Sequence, residues 1–214
     1  MNGWWRDILG ALLAWILAFW LATPLFGELY EVEPVRPMRG GMLEELRERL
    51  SARDAAFYGD SSDVVTRGHY LGHAINSAIR NRHGGTGKVN ASYLPGGSAL
   101  VLPEPNVSLS EVRRRGIGGR VMLAWSEWDR QPLYLLDELS AYVCGAVAGL
   151  ENGSRRRARE SIGFAREVHS YALTMARLAR QRGYRHADEL DAFLERAGEY
   201  VEQITFECLE PPAE

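Results

Sequence analysis

A stretch of nineteen residues from Ile8 to Phe26 carries no charge and is almost all apolar. As an α-helix this stretch would be about 28 Å long, which is close to the roughly 30 Å hydrocarbon core of a bilayer. Trp4 and Trp5 come just before it, and indole rings favour the headgroup layer. We therefore expect residues 1–27 to form a membrane-anchor helix, with a cleaved signal peptide and a buried core helix as the alternatives.

Residues 28–41 separate this stretch from the rest of the chain. They contain Pro34 and Pro37 and end in two glycines, a composition typical of an extended linker. We expect one globular domain over residues 42–214, held at a cell membrane by a single span. Basic residues flank both ends of the span almost equally. Because a single N-terminal span commonly acts as a signal-anchor, we expect the domain on the extracytoplasmic side.

Apolar residues recur at helical spacing through most of the expected domain. The helices predicted from this spacing begin at Met42, cover residues 61–82, follow Ser108 and Pro132, and extend over residues 155–182 and 187–208. The segment from Ala91 to Pro105 instead predicts two short strands joined by Pro95-Gly96-Gly97. The pattern therefore predicts a mainly α fold, of the α+β class, with one small β-hairpin.

Composition and charge exclude several functions. The 214 residues include 25 basic and 28 acidic side chains, for a formal net charge of −3, whereas nucleic-acid-binding proteins usually show a basic excess. The segment Gly84–Lys88 is rich in glycine but lacks the spacing of a phosphate-binding loop. Cys144 and Cys208 are too few for a disulfide framework. We therefore expect no nucleic-acid and no nucleotide partner.

His69 and His73 are the clearest candidates for chemistry. They are four residues apart in a predicted helix, so both imidazoles lie on one face. A catalytic zinc site adds a third protein ligand to such a pair. Glu138 is the best candidate, because a carboxylate in an otherwise apolar helix is costly to bury unless it is paired or bound to metal. Asp137 is its rival, and zinc is the cofactor that this set suggests.

The segment T-R-G-H-Y-L-G-H-A-I-N resembles the H-E-x-x-H-[GA]-x-N helix of the zincin metallopeptidases. The downstream D-E-L-S-A-Y is similar to the gluzincin helix whose glutamate completes the metal site. The resemblance covers about residues 60–150. It implies that His69, His73 and Glu138 are the metal ligands and that Tyr142 offers a hydroxyl beside the reacting group. It also implies that the hairpin supplies an edge strand able to hold a peptide.

The residue after the first histidine departs from this family. Zincins place their general-base glutamate there, whereas this chain has Tyr70. A glutamate with a pKa near 4.3 can take the proton of metal-bound water at neutral pH, but a tyrosine with a pKa near 10 is already protonated. Either another carboxylate acts as the base, for which Glu127 is a candidate, or the protein no longer cleaves peptides.

These observations predict a membrane-anchored, metallopeptidase-like protein that is catalytically degenerate and binds a peptide or protein partner. The first alternative is an active zinc peptidase with an unrecognised base. The second is a structural, membrane-anchored helical module. In that case the histidines bond backbone or carboxylate groups, and Asp137 and Glu138 pair with arginines such as Arg80.

Overall fold

The computed structural model describes residues 28–31, 41–83, 89–115 and 129–209. Within these ranges the chain is mainly helical, which confirms the predicted fold class. The helices are α1 (Met42–Glu48), α2 (Ala52–Tyr58), α3 (Val64–Arg82), α4 (Leu109–Arg115), α5 (Tyr134–Glu151), α6 (Arg155–Gln181) and α7 (Ala187–Leu209), and the strands are β1 (Glu28–Glu31), β2 (Asn90–Leu94) and β3 (Ser98–Leu102). The expected anchor, residues 1–27, lies outside the described residues. Among the helices that are described, none has the length and apolarity to cross a membrane.

The predicted hairpin is present and belongs to a three-stranded antiparallel sheet. Strand β2 pairs with β3, and Gly96 and Gly97 in the connecting turn have φ angles of 83° and 100°, which suit glycine. On its other side β3 pairs with β1, so the order is β1-β3-β2. Glu28–Glu31, the first residues of the expected linker, thus form a strand of this sheet. That segment satisfies the backbone groups along an edge of β3 that would otherwise be unpaired.

Helix α5 is the central element of the core. It packs against α3 and α6, and α7 packs in turn against α6. Thirteen of its eighteen residues are buried, as its apolar sequence predicts. The buried set includes two carboxylates, Asp137 and Glu138, which are 3% and 8% exposed. Burying two adjacent carboxylates is costly, so their surroundings must compensate.

Helices α3 and α5 cross at short distance because glycines lie at the contact. A Cβ atom at Gly72 would stand 2.9 Å from the Cα atom of Ala141, and one at Gly68 would stand 2.9 Å from the carbonyl oxygen of Cys144. Both distances are too short for an ordinary side-chain contact. The crossing therefore requires glycine on α3, and it brings the histidine face of α3 against the carboxylates of α5.

Candidate metal site

The N-cap of helix α3 is Asp63, whose side chain accepts a hydrogen bond of 2.8 Å from the Thr66 N–H. One turn apart along this helix, the rings of His69 and His73 meet edge to face, with centroids 4.7 Å apart. Their Nε2 atoms are separated by 3.1 Å. The side chains of His69 and His73 thus converge on one point, as expected for residues four apart in a helix.

Glu138 reaches the same point from α5. Its Oε1 atom lies 3.7 Å from Nε2 of His73. One ligand atom from each of His69, His73 and Glu138 falls within 4.8 Å of the others, so the three side chains could hold a metal ion. In a tetrahedral zinc site two nitrogen ligands lie about 3.3 Å apart. The two separations that involve His73, 3.1 and 3.7 Å, are close to that value.

Asp137 has a different role from the one the sequence left open for it. Its Oδ1 atom accepts a hydrogen bond of 3.1 Å from Nδ1 of His73 and another from Nδ2 of Asn76. Because the proton of neutral His73 is then on Nδ1, the lone pair on Nε2 faces His69 and Glu138. Carboxylates that orient a ligating histidine in this way are common around protein metal sites. Arg80, the predicted partner, approaches the other carboxylate oxygen of Asp137 at 4.0 Å.

The surroundings set unequal protonation for the three candidate ligands. Burial, reinforced by the charge of His73, lowers the pKa of His69 to about 3, so that its lone pair is available at neutral pH. Burial alone would also lower the pKa of His73, but the hydrogen bond and charge of Asp137 outweigh it and raise the pKa. Burial raises the pKa of Glu138, although the charge of His73 opposes this shift.

Two tyrosines of α5 line the cluster. The ring of Tyr134 stacks parallel to His73, at 6.2 Å between centroids, and its hydroxyl bonds the Glu138 carboxylate. The ring of Tyr142 lies 4.6 Å from that of His69, and burial raises the pKa of its hydroxyl to about 12. Tyr142 thus lies beside one of the candidate ligands. Sequence reasoning missed Tyr134, although its position one turn before Glu138 was an available signal.

Tyr70, which occupies the position of the general base in the zincins, is not one of the converging ligands. Tyr70 is 48% exposed, and its ring centroid is 5.9 Å from that of His69. Glu127 lies outside the described residues. His169 does not belong to this group of side chains, and its Nε2 atom donates a hydrogen bond of 2.9 Å to the carbonyl oxygen of Leu194.

Strand β2 runs beside the cluster, but its outer edge is occupied. The backbone N–H of Tyr93 donates a hydrogen bond of 2.7 Å to Oδ1 of Asn76, and its carbonyl accepts one from the hydroxyl of Ser140. The expectation that the hairpin offers an edge for a bound peptide is therefore wrong at Tyr93. Asn76 and Ser140 join α3, β2 and α5 into one polar network, and sequence reasoning assigned a role to neither residue.

Comparisons with protein-family models, with curated proteins and with solved structures find no match to this chain. The resemblance to the zincins consequently rests on the residues and geometry described above.

Proposed function

We propose that this chain is a membrane-anchored, metallopeptidase-like protein that holds a divalent metal through His69, His73 and Glu138 and binds a peptide or protein partner without cleaving it. The observation that supports this function best is the convergence of three ligand atoms, from two partly buried histidines and a buried glutamate, with one of the histidines oriented by Asp137. Two nitrogens and one carboxylate oxygen form a donor set that zinc favours, and three protein ligands leave one coordination position open.

The absence of cleavage is proposed on two grounds. Tyr70 stands where the resembling family has its base, and losing a general base costs about 10²–10⁴ in rate. In addition, the backbone groups that an extended peptide would pair with at Tyr93 are already bonded to Asn76 and Ser140. Both features favour a binding role over a peptidase.

Metal analysis of the 214-residue chain, purified in detergent and stripped with a chelator, tests the metal site. After incubation with zinc and removal of excess, we expect one zinc per chain in the wild type and an affinity at least 100-fold lower in His73→Ala. His169→Gln is the matched control, since it removes an imidazole outside the cluster. Iron(II) is added in a parallel arm because two histidines and one carboxylate also suit that ion. If the wild type binds no metal, or if His169→Gln lowers the zinc affinity as much as His73→Ala does, the structural helical module is supported instead.

A second assay separates the proposed role from an active peptidase. The zinc-loaded chain is incubated with casein and with mixed fluorogenic peptides, and turnover is compared with His69→Ala. We expect equal rates. Turnover above that variant would identify the active peptidase.

For the membrane location, protease added outside intact spheroplasts should digest the domain, and full protection would place it on the other side.

A further inference from the structure

A row of aromatic rings extends from the metal ligands to the protein surface. The ring of Tyr142 packs on His69, and the ring of Phe164 from α6 lies 5.4 Å from that of Tyr142, tilted by 30°. Phe164 is 42% exposed, and Tyr70 on the other side of His69 is 48% exposed. Aromatic side chains beside a few convergent polar groups are typical of ligand-binding sites.

The polar end of this row remains open to solvent. The side chains of His73 and Glu138 are 21% and 10% exposed, so a small group can reach them. Three protein ligands leave a fourth position on a bound zinc ion. Glu138 offsets one charge of a divalent cation, while Asp137 and Arg80 offset each other. The ligand set would thus leave one positive charge on the ion, next to an aromatic surface that the charge of Glu167 also reaches.

We propose that the loaded site binds an aromatic carboxylate, a proposal that rests on the metal-binding function above. The carboxylate takes the open coordination position and neutralises the remaining charge of the centre. The aromatic group lies against Tyr142 and Phe164, because tilted and offset ring pairs are favourable beyond their buried area. A free small acid and the C-terminal aromatic residue of a peptide share this chemistry.

Cobalt(II) in place of zinc gives the test a readout independent of catalysis. The cobalt-loaded chain in detergent is titrated with 3-phenylpropanoate and with propanoate, and the visible d–d absorption of the metal is followed. We expect both acids to change the spectrum and the phenyl compound to bind about tenfold more tightly. Phe164→Ala should reduce that ratio to below about threefold. Phe57→Ala removes an exposed phenylalanine from α2 and should leave the ratio unchanged.

The outcomes are distinguishable. If cobalt does not bind, the metal proposal fails and this inference fails with it. If cobalt binds but neither acid changes the spectrum, or both bind equally well, only the aromatic carboxylate is refuted. An unchanged ratio in Phe164→Ala refutes the role of the ring row. Acetyl-glycyl-phenylalanine, with its amide as the control that lacks the carboxylate, then identifies the natural source of the carboxylate. Tighter binding of the free-acid dipeptide than of 3-phenylpropanoate points to a peptide C-terminus. Equal or weaker binding points to a small acid.

Discussion

The close crossing of α3 and α5 predicts opposite effects for the same substitution at two helical glycines. Gly72→Ala places a methyl group 2.9 Å from the Cα atom of Ala141, whereas a Cβ atom at Gly163 in α6 meets nothing within 4 Å. Both glycines lie inside helices, so alanine brings the same intrinsic gain of about 1 kcal/mol at each position. The difference between the two variants therefore isolates the steric cost at the crossing.

That steric cost is expected to be about 1–3 kcal/mol, because the neighbour is backbone and cannot move aside without shifting a helix. Gly163→Ala should raise the free energy of unfolding by about 1 kcal/mol, and Gly72→Ala should lower it by up to about 2 kcal/mol. Gly72 lies between His69 and His73, so a shift of α3 also displaces the ligands from Glu138. We expect zinc affinity to fall about tenfold in Gly72→Ala, as for the loss of a residue that orients a ligand.

Urea unfolding of the metal-free variants, followed by circular dichroism, measures the first effect, and competition with a chromophoric chelator measures the second. Equal stabilities for Gly72→Ala and Gly163→Ala would refute the inferred closeness of the helices. A large loss of stability with unchanged zinc affinity would instead show that the crossing does not position the ligands.

Three further predictions concern single side chains. Tyr70→Glu should give the zinc-loaded chain peptide hydrolysis about 10²–10⁴ above Tyr70→Gln in a fluorogenic assay, and a zinc-loaded but inert variant would contradict the zincin resemblance. Asp137→Asn should lower zinc affinity about 10- to 100-fold, because it removes the carboxylate that orients His73. Competition with a chelator measures the affinity, and an unchanged value would contradict the orienting role of Asp137. Burial raises the pKa of Glu104 from 4.5 to about 7. Its contribution of about 3 kcal/mol is complete below pH 4.5 and is lost progressively as the pH rises from 4.5 through 7. Glu104→Gln should therefore gain stability relative to the wild type across this interval and keep that gain above pH 7, as measured by urea unfolding.

The elements predicted correctly are those whose signal is local. Asp63 caps α3 through a bond to a residue three positions on, and Gly96 and Gly97 supply the positive φ angles of a tight turn. Helix α2 was not predicted because none of its residues is buried, so it leaves no apolar periodicity. Strand β1 depends on pairing with β3, a partner seventy residues away along the chain, which no local pattern specifies.

In the candidate site, too, the local features could be predicted from the sequence and the features that depend on packing could not. The spacing of His69 and His73 is a property of one helix, and the sequence alone predicts their convergence. Asp137 and Glu138 are adjacent, acidic and both buried, so the sequence could not distinguish their roles. The way α3 and α5 pack against each other assigns the two roles, since it brings Asp137 to Nδ1 of His73 and Glu138 to Nε2.

Metal binding should also displace protons, and the direction follows from the shifts in the cluster. The pKa values of His73 and Glu138 are both raised, so without metal each group retains its proton to higher pH than usual. Nε2 of His73 lies 3.1 Å from Nε2 of His69, a distance at which one proton held between the two nitrogens makes a hydrogen bond. A metal ion needs the lone pairs of both nitrogens and the ionised carboxylate, and it therefore competes with that proton.

Zinc titrations by calorimetry in buffers of different ionisation enthalpy count the protons released. We expect release to increase as the pH falls and apparent affinity to weaken in step, because more of His73 and Glu138 is protonated before binding. Glu138→Gln should release fewer protons than the wild type and bind more weakly. Binding heats that are the same in every buffer would mean that zinc does not enter between these three side chains, since no cation can occupy that point while the shared proton remains.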